Sequence, residues 1–381
     1  MKNQGRYTKN ISKENFIFVI TFFGIFAPIA NTMGLSNMLK TIMNQAYDLL
    51  MNTCLYLMAI CVLTGAMSAL FSEFGFVALI DALLSKIMKP IYNLPGAASL
   101  GILNCYLSDN PSILTLAGED NFKVLFKKYQ FPSLTNLGTS FGMGLIVTTS
   151  LASLSIDGSG KAVIIGNLGA FIGSVVSVRI MQSYTKKYYG TEEMVSANKL
   201  EGIPKGSRSI REGSIGVRFI EALLDGGKAG VKMGVSIIPG VISICTIVML
   251  LTNSTGVSGI YTGSINEGIP VLPFIGNKLS FILNPLFGFN HSQSIAVPIT
   301  ALGSAGAAMA LVNDLAAKNL VNANDLAVFT SICMCYSGYL STHVAMMDVI
   351  GAKELTSKAI LSHTIGGLAA GISAHLLFSI F

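Results

Sequence analysis

The sequence predicts an all-α polytopic membrane protein. We expect two inverted repeats, each with three membrane helices, an interfacial helix and a re-entrant hairpin, plus one extra N-terminal helix. Three observations predict this. Hydrophobic residues make up 51% of the 381 and charged residues 12%, at a mean hydropathy of +0.62, which exceeds what the core of a water-soluble chain requires. The apolar residues fall into runs of about 20, the length a helix needs to cross roughly 30 Å of hydrocarbon. The second half also echoes the first at a nearly constant spacing.

Taken in order, seven crossings are expected at 15–34, 48–71, 132–155, 161–182, 230–252, 326–347 and 359–380. The first is read as a retained helix, because the run from Asn15 to Met33 is long and no small-residue cleavage site follows it. Residues 74–92 and 272–288 have the pattern of amphipathic helices lying in the interface. The stretches 95–130 and 290–323 are apolar but broken by Gly, Ser, Asn or Pro near their middles. Each unpaired backbone group facing lipid costs several kcal/mol, so such a segment must be buried in protein or line a cavity. Both are read as hairpins that enter and leave on one side. Residues 183–215, polar and rich in Gly, Ser and charges of both signs, read as a cytoplasmic linker. The chain then divides into 1–47 (N-terminus and extra helix), 48–182 (first repeat), 183–229 (linker and amphipathic segment) and 230–381 (second repeat, inverted).

Charge placement gives the orientation. With the N-terminus cytoplasmic and the C-terminus outside, 21 of the 25 Lys and Arg residues lie on the inner side, and only Lys40, Lys161, Lys278 and Lys318 fall outside. The net charge of +6 therefore reports orientation in a cell (inner) membrane rather than a nucleic-acid partner. The six cysteines all lie in apolar segments and read as free thiols. Cys333 and Cys335, two apart on a helix, point about 200° away from each other, so no metal site is expected there. No cofactor is expected either. The sequence has no His-Glu-x-x-His helix, Gly-x-Ser-x-Gly elbow or phosphate loop, so the expectation is that the protein is not an enzyme.

The repeat is legible residue by residue. Ser85, Ile87, Pro90, Ile91, Tyr92 and Leu94 align with Ser280, Ile282, Pro285, Leu286, Phe287 and Phe289 at an offset of 195, and Ser99 then falls on Ser294. Gly144 and Thr148 match Gly338 and Thr342 at 194, and Lys161-Ala162-Val163 matches Lys358-Ala359-Ile360 at 197. Three crossings per unit are odd in number, so the second copy is inverted, the arrangement from which alternating-access transporters are built.

Asn110-Pro111 lies between two apolar arms, and proline removes a donor and biases the preceding residue away from helix. Ser108, Asp109, Asn110 and Ser112 are thus expected at the tip of the first hairpin. Asp109 matters most, because an ionisable group within a membrane segment faces a cavity or a partner; the same residues also suit a helix N-cap. Asn290, His291, Ser292 and Gln293 open the second hairpin, whose tip is expected at Gly303-Ser304-Ala305-Gly306. Thr148 and Thr149, and Thr342 and His343, hold matching places on the helices that follow the hairpins, and Asn167 lies on the next helix. These hydroxyls also have the alternative of bonding only to their own backbone. His343 adds a titratable group at membrane depth. Asp348 reads as a helix-end residue.

The order of elements resembles the Gate, or nucleoside-recognition, domain superfamily, which includes concentrative nucleoside transporters and spore maturation proteins A and B. The likeness is carried by Gly96-Ala97-Ala98-Ser99-Leu100-Gly101 and by the run Ser108 to Ser112. It implies a substrate site where the hairpins meet unwound helix. Here Ser108-Asp109-Asn110-Pro111-Ser112 stands in place of the Gln-Thr-Glu cluster of nucleoside transporters. The ethanolamine-utilisation permease is similar in plan, so a small polar metabolite is admitted beside a nucleoside or nucleobase. The resemblance implies ion-coupled secondary transport, with Na⁺ or H⁺ as coupling ion and the lipid bilayer and a small polar solute as partners. A homo-oligomer is compatible with it. The alternative is a non-transport membrane factor, such as a partner subunit of a sporulation-type complex.

Overall fold

The computed structural model describes residues 10–196, 210–255 and 259–381, apart from 111, 114–116, 118, 119, 304 and 338. Residues 197–209 of the linker expected at 183–215 lie outside the described residues, as do Pro111 and Ser304 at the two expected tips. Among the described residues the structure is helical, with only isolated bridges pairing Lys127 with Met194 and Ser254 with Glu267.

The helix α1 (Lys13–Met33) is apolar around its circumference, and Phe16, Ile17, Phe18, Ile20 and Phe23 are exposed, as suits lipid. Gly34 then turns the chain at φ 79. From there α2 (Leu35–Asp48), a π-helical turn (Leu49–Cys54) and α3 (Leu55–Glu73) run without a break. The expected crossing at 48–71 is therefore the far part of a longer helix, whose first part is amphipathic. Helices occupy the two stretches expected to be interfacial, as α4 (Phe76–Ile87), extended by a π turn over Met88–Tyr92, and as a later helix over Val271–Phe287.

The first broken stretch begins with α5 (Ala98–Leu107) and includes a short α6 (Asp120–Lys123). The next expected crossing, 132–155, is two helices. α7 (Ser133–Thr139) and α8 (Gly144–Ala152) are separated by a turn in which Met143 takes a left-handed backbone, φ 55. α9 (Ser159–Tyr189) extends beyond its expected end at 182. α10 (Ile215–Gly240) continues through a π turn (Val241–Cys245) into α11 (Thr246–Leu250), so part of the interval 183–229 is helix.

After α12 (Val271–Phe287), the second broken stretch contains a 3₁₀ turn (Ser292–Ile295), α13 (Ala296–Gly303) and α14 (Ala305–Ala317). The crossing expected at 326–347 is also broken, into α15 (Ala323–Cys335) and α16 (Tyr339–Ile350). A capping box starts α15, with Asn322 accepting the Asp325 amide and the Asp325 carboxylate accepting that of Asn322. α17 (Thr356–Ile380) closes the chain. α1, α9 and 353–380 are each long and apolar enough to cross a membrane. All six cysteines are free and buried.

Two helix pairs join the halves. α3 packs along α10, and α9 along α17. Both approaches depend on glycine. A Cβ at Gly65 would lie 2.5 Å from the Gly226 carbonyl oxygen, and one at Gly173 would collide with the Gly366 oxygen. Small residues let membrane helices meet backbone to backbone, where dispersion must replace the hydrophobic effect. The two broken helices cross between these pairs: α7 packs on α16 and α8 on α15. The Cys335 thiol donates to the Ser140 carbonyl at 3.7 Å, a contact between residues 195 apart.

Gly173→Ala should destabilise the folded protein by about 1–3 kcal/mol, the cost of overpacking. Gly160→Ala, which has nothing within 4 Å of its new methyl, should be neutral or slightly stabilising. Thermal midpoints of the two variants in detergent check this, and equal midpoints would remove the close contact as a determinant.

Candidate functional site

α5 ends at Leu107, and Ser108 leaves the helix at φ −136, ψ −104. The break is held by local hydrogen bonds. The Asn110 amide donates to Asp109 Oδ1 at 2.8 Å, the Ser112 amide to the Asp109 carbonyl at 3.0 Å, and the Ser112 hydroxyl to Ser108 Oγ at 3.1 Å. Asp109 thus caps the very next amide. Asn110 is 1% exposed, and its side-chain amide donates to the Ser337 carbonyl in the break of the second crossing helix. A Cβ at Gly142, in the break of the first, would overlap Asn110 Oδ1. The hairpin break is therefore seated where the two discontinuous helices meet. Unwound backbone is tolerated there because protein surrounds it.

Ser108 also lines a cavity of about 250 Å³ between α3 and α10. Leu107 and Ile146 flank it, Thr64 and Ser68 line its wall, and Arg211 and Asp225 stand at its other end. Arg211 Nη1 lies 2.5 Å from Asp225 Oδ2. Arg218 Nε donates to Glu73 Oε1 at 2.6 Å, and the Arg211 amide to the same oxygen at 3.3 Å. Glu73 is only 8% exposed, and its hydrogen bond with Arg218 holds its carboxyl below the usual carboxylate range. The Arg211 guanidinium does the same for Asp225. These ion pairs clasp the end of α3 to the start of α10.

Beside the break, Asn167 donates to Thr148 Oγ1 at 2.9 Å and to the Val163 carbonyl at 2.7 Å, and the Tyr106 hydroxyl lies 3.2 Å from the same threonine oxygen. Two of the sequence-derived candidates thus meet each other and the hairpin arm. Tyr106 was not among them; a hydroxyl two residues before the polar run is the signal that would have pointed to it. Thr149 is turned to its own helix, donating to the Leu145 carbonyl at 2.7 Å. The Ser150 hydroxyl is buried with no hydrogen-bond partner among the described residues.

The second hairpin presents a different picture. Asn290, His291 and Ser292 line a polar pocket of about 260 Å³ against Asn277, Ser280 and Asn284 of α12, and the Ser292 hydroxyl donates to Gln293 Oε1 at 3.3 Å. At the 195 spacing, residues 290–293 match Pro95 to Ala98, the base of the first hairpin. The expected second tip, from Gly303 to Ala305, matches Ser108–Asn110 at the same spacing. These four residues therefore do not share a pocket with Ser108. Thr342 is half-buried on α16. His343 is fully buried, with Nδ1 2.6 Å from the Tyr339 carbonyl, and its ring lies 4.7 Å from that of His363, centroid to centroid. Sequence reasoning passed over His363. No group of three or more His, Cys, Asp or Glu able to hold a metal occurs among the described residues.

No protein-family model matches the sequence, and no curated protein matches it. The fold, however, has solved counterparts. The chain is similar to CNTnw, a concentrative nucleoside transporter, in an inward-facing substrate-bound state, at a TM-score of 0.56 and 11% identity over 96% of this chain and 84% of that one. It is similar also to a doubly substituted CNTnw in an outward-facing state, at 0.55 and 10% over 97% and 85%, and to a singly substituted CNTnw in an intermediate state, at 0.53 and 12% over 96% and 85%. At these identities the likeness is one of fold, and it spans nearly the whole chain.

The Glu73 clasp has a definite pH signature. Its folded carboxyl titrates below the unfolded value of about 4.3, so its contribution is complete above that value and fades as pH falls through the lower folded one. Thermal midpoints measured from pH 7 down to pH 3 should fall more steeply for the unaltered chain than for Glu73→Gln, the two curves converging at the acid end. Parallel curves would show that the clasp does not contribute.

Proposed function

We propose that the chain is a secondary transporter that moves a small polar solute across the cell membrane by alternating access. The observation that carries this reading is the first hairpin break, which has Ser108 on a cavity and Asn110 against the breaks of both crossing helices. Discontinuous helices paired at midplane supply free backbone groups and polar side chains where a solute needs them. The likeness to CNTnw structures in inward- and outward-facing states supports alternating access.

In this reading Ser108, Asp109, Asn110 and Ser112 meet the solute, Thr148 and Asn167 shape the adjoining wall, and Thr342 and His343 lie on the opposing broken helix. Asn290 to Gln293 take the role of the second hairpin's entry. The Arg211–Asp225 pair closes the cavity on the cytoplasmic side. The two halves act as an inverted duplication, supported by the 195 spacing of Ser140 and Cys335 across their contact. A nucleoside or nucleobase is the first solute to test, because that is the class named for the structural counterparts. Na⁺ or H⁺ is the coupling ion.

A thermal-shift screen of nucleosides, nucleobases, amines and small metabolites, with and without Na⁺ and at two pH values, should find a ligand that raises the midpoint, since binding to the folded form stabilises it. In liposomes the purified chain should then take up that ligand along an ion gradient, and Asp109→Asn should cut uptake about tenfold or more, the equivalent of ~1.4 kcal/mol, while eluting as a folded species. Normal uptake by that variant would remove Asp109 from the mechanism. No uptake of any stabilising ligand, with a stoichiometric membrane partner in the preparation, would overturn transport by this chain.

A further inference from the structure

The buried polar cluster between α7, α9, α15, α16 and α17 is larger than packing requires. Asn136 donates to Ser177 Oγ at 2.9 Å and to the Ala359 carbonyl at 3.0 Å. Ser177 Oγ lies 3.0 Å from His363 Nδ1, and His363 Nε2 lies 2.5 Å from the Cys335 carbonyl. His343 and His363 are both fully buried.

The partners determine the tautomers. Carbonyl oxygens only accept, so the nitrogens facing Cys335 O and Tyr339 O carry hydrogen: Nε2 of His363 and Nδ1 of His343. In neutral rings, His363 Nδ1 then accepts the Ser177 hydroxyl, and His343 Nε2 is left as a bare lone pair. Among the described residues that nitrogen has no hydrogen-bond partner. A basic lone pair buried at membrane depth is costly as a packing element and useful as a proton acceptor.

No fixed charge is seen to compete for it. α7 and α13 contain no ionisable residue, and α15 and α16 present Cys335, Tyr336 and Tyr339 beside the two rings. Asp325, at the start of α15, is engaged in the capping box. On α17, Lys358 is 5.0 Å from the Tyr184 ring, and His375 Nδ1 pairs with Asn324 Oδ1 at 2.8 Å. α9 carries its charges towards its ends, where Lys161 bonds the Phe381 carbonyl and Arg179 the Pro90 carbonyl. Asp348, Lys353 and Glu354 are exposed, and two of them form the Asp348–Lys353 pair.

We propose that His343 Nε2 is the site at which a proton binds to drive solute movement, with His363 as its positioning partner. This rests on the transport reading and names H⁺ as the coupling ion. One N–H bond forms, the proton comes from the aqueous phase, and the positive charge remains on the ring. In the closed arrangement that charge has no counter-ion, so protonation favours an arrangement in which the Tyr336–Tyr339 joint opens and admits water to the pair. Solute and proton thereby act on one joint, because Asn110 of the hairpin holds the Ser337 carbonyl within it.

The test reads the proton itself. Full-length protein labelled with [¹⁵N]histidine, in lipid nanodiscs, should show at pH 8 a bare ring-nitrogen signal that is absent in His343→Gln. Acidification should shift that signal in one reversible step while the chain remains folded, and His363→Gln should move the midpoint of that step. If His343→Gln does not fold, His343→Asn supplies the assignment. A His343 signal that stays bare at every pH of the folded range overturns the proposal, whatever the transport result. In liposomes, an inward proton gradient should stimulate uptake several-fold in the unaltered chain and leave His343→Gln unstimulated. Uptake driven by Na⁺ alone and indifferent to His343→Gln also overturns it. Titration of His343 without any solute movement would instead retire the transport reading and leave the proton site standing.

Discussion

Backbone-to-backbone contact between helices of opposite halves is the constraint on which the rest of this structure depends. Within a bilayer, burial of apolar surface gives little net drive to helix association, so packing quality and polar contacts must supply it. Gly65 against Gly226 and Gly173 against Gly366 bring α3 onto α10 and α9 onto α17 at distances that even one methyl group would spoil. With those pairs set, the space between them is fixed in width. The crossing of the two broken helices and the first hairpin break occupy that space.

Inside this frame the chain accepts irregular backbone in exchange for polar groups at depth. The bends at Ser140–Met143 and Tyr336–Ser337 leave peptide groups outside regular helix, and neighbouring protein satisfies part of them: Cys335 bonds the Ser140 carbonyl and Asn110 the Ser337 carbonyl. Asn110 serves both purposes. It stabilises one break with its amide and fits against the other because Gly142 has no side chain. A hairpin held this way is tied to both halves at once, so a change in either broken helix reaches the hairpin directly.

Much of this was legible in the sequence, because the bilayer limits the alternatives. The helices around Pro90 and Pro285, the helix break at Ser108–Asn110 and the polar pair Thr148 and Asn167 could be read from hydropathy, proline and the repeat. The two broken crossings were not. Hydropathy averages over about 19 residues, and Phe141-Gly142-Met143-Gly144 and Tyr336-Ser337-Gly338 are too short to lower it, although glycine marks both. The long α2–α3 helix was missed because its first part is amphipathic and merges with the apolar run only through a π turn. His363 was missed for a different reason: its importance comes from His343, Ser177 and Cys335, which lie far from it in sequence.

The pairing of α3 with α10 and α9 with α17 also bears on how the protein is made. Neither half contains both members of a pair, so neither has a finished interior of its own. Gly173 enters the membrane about 190 residues before Gly366 is synthesised, a wait of roughly 10–40 s at about 5–20 residues per second. During that interval α9 presents its small-residue face to lipid, or to whatever accompanies insertion. The nascent first half is thus an unmated partner held in the bilayer until its complement arrives from the ribosome.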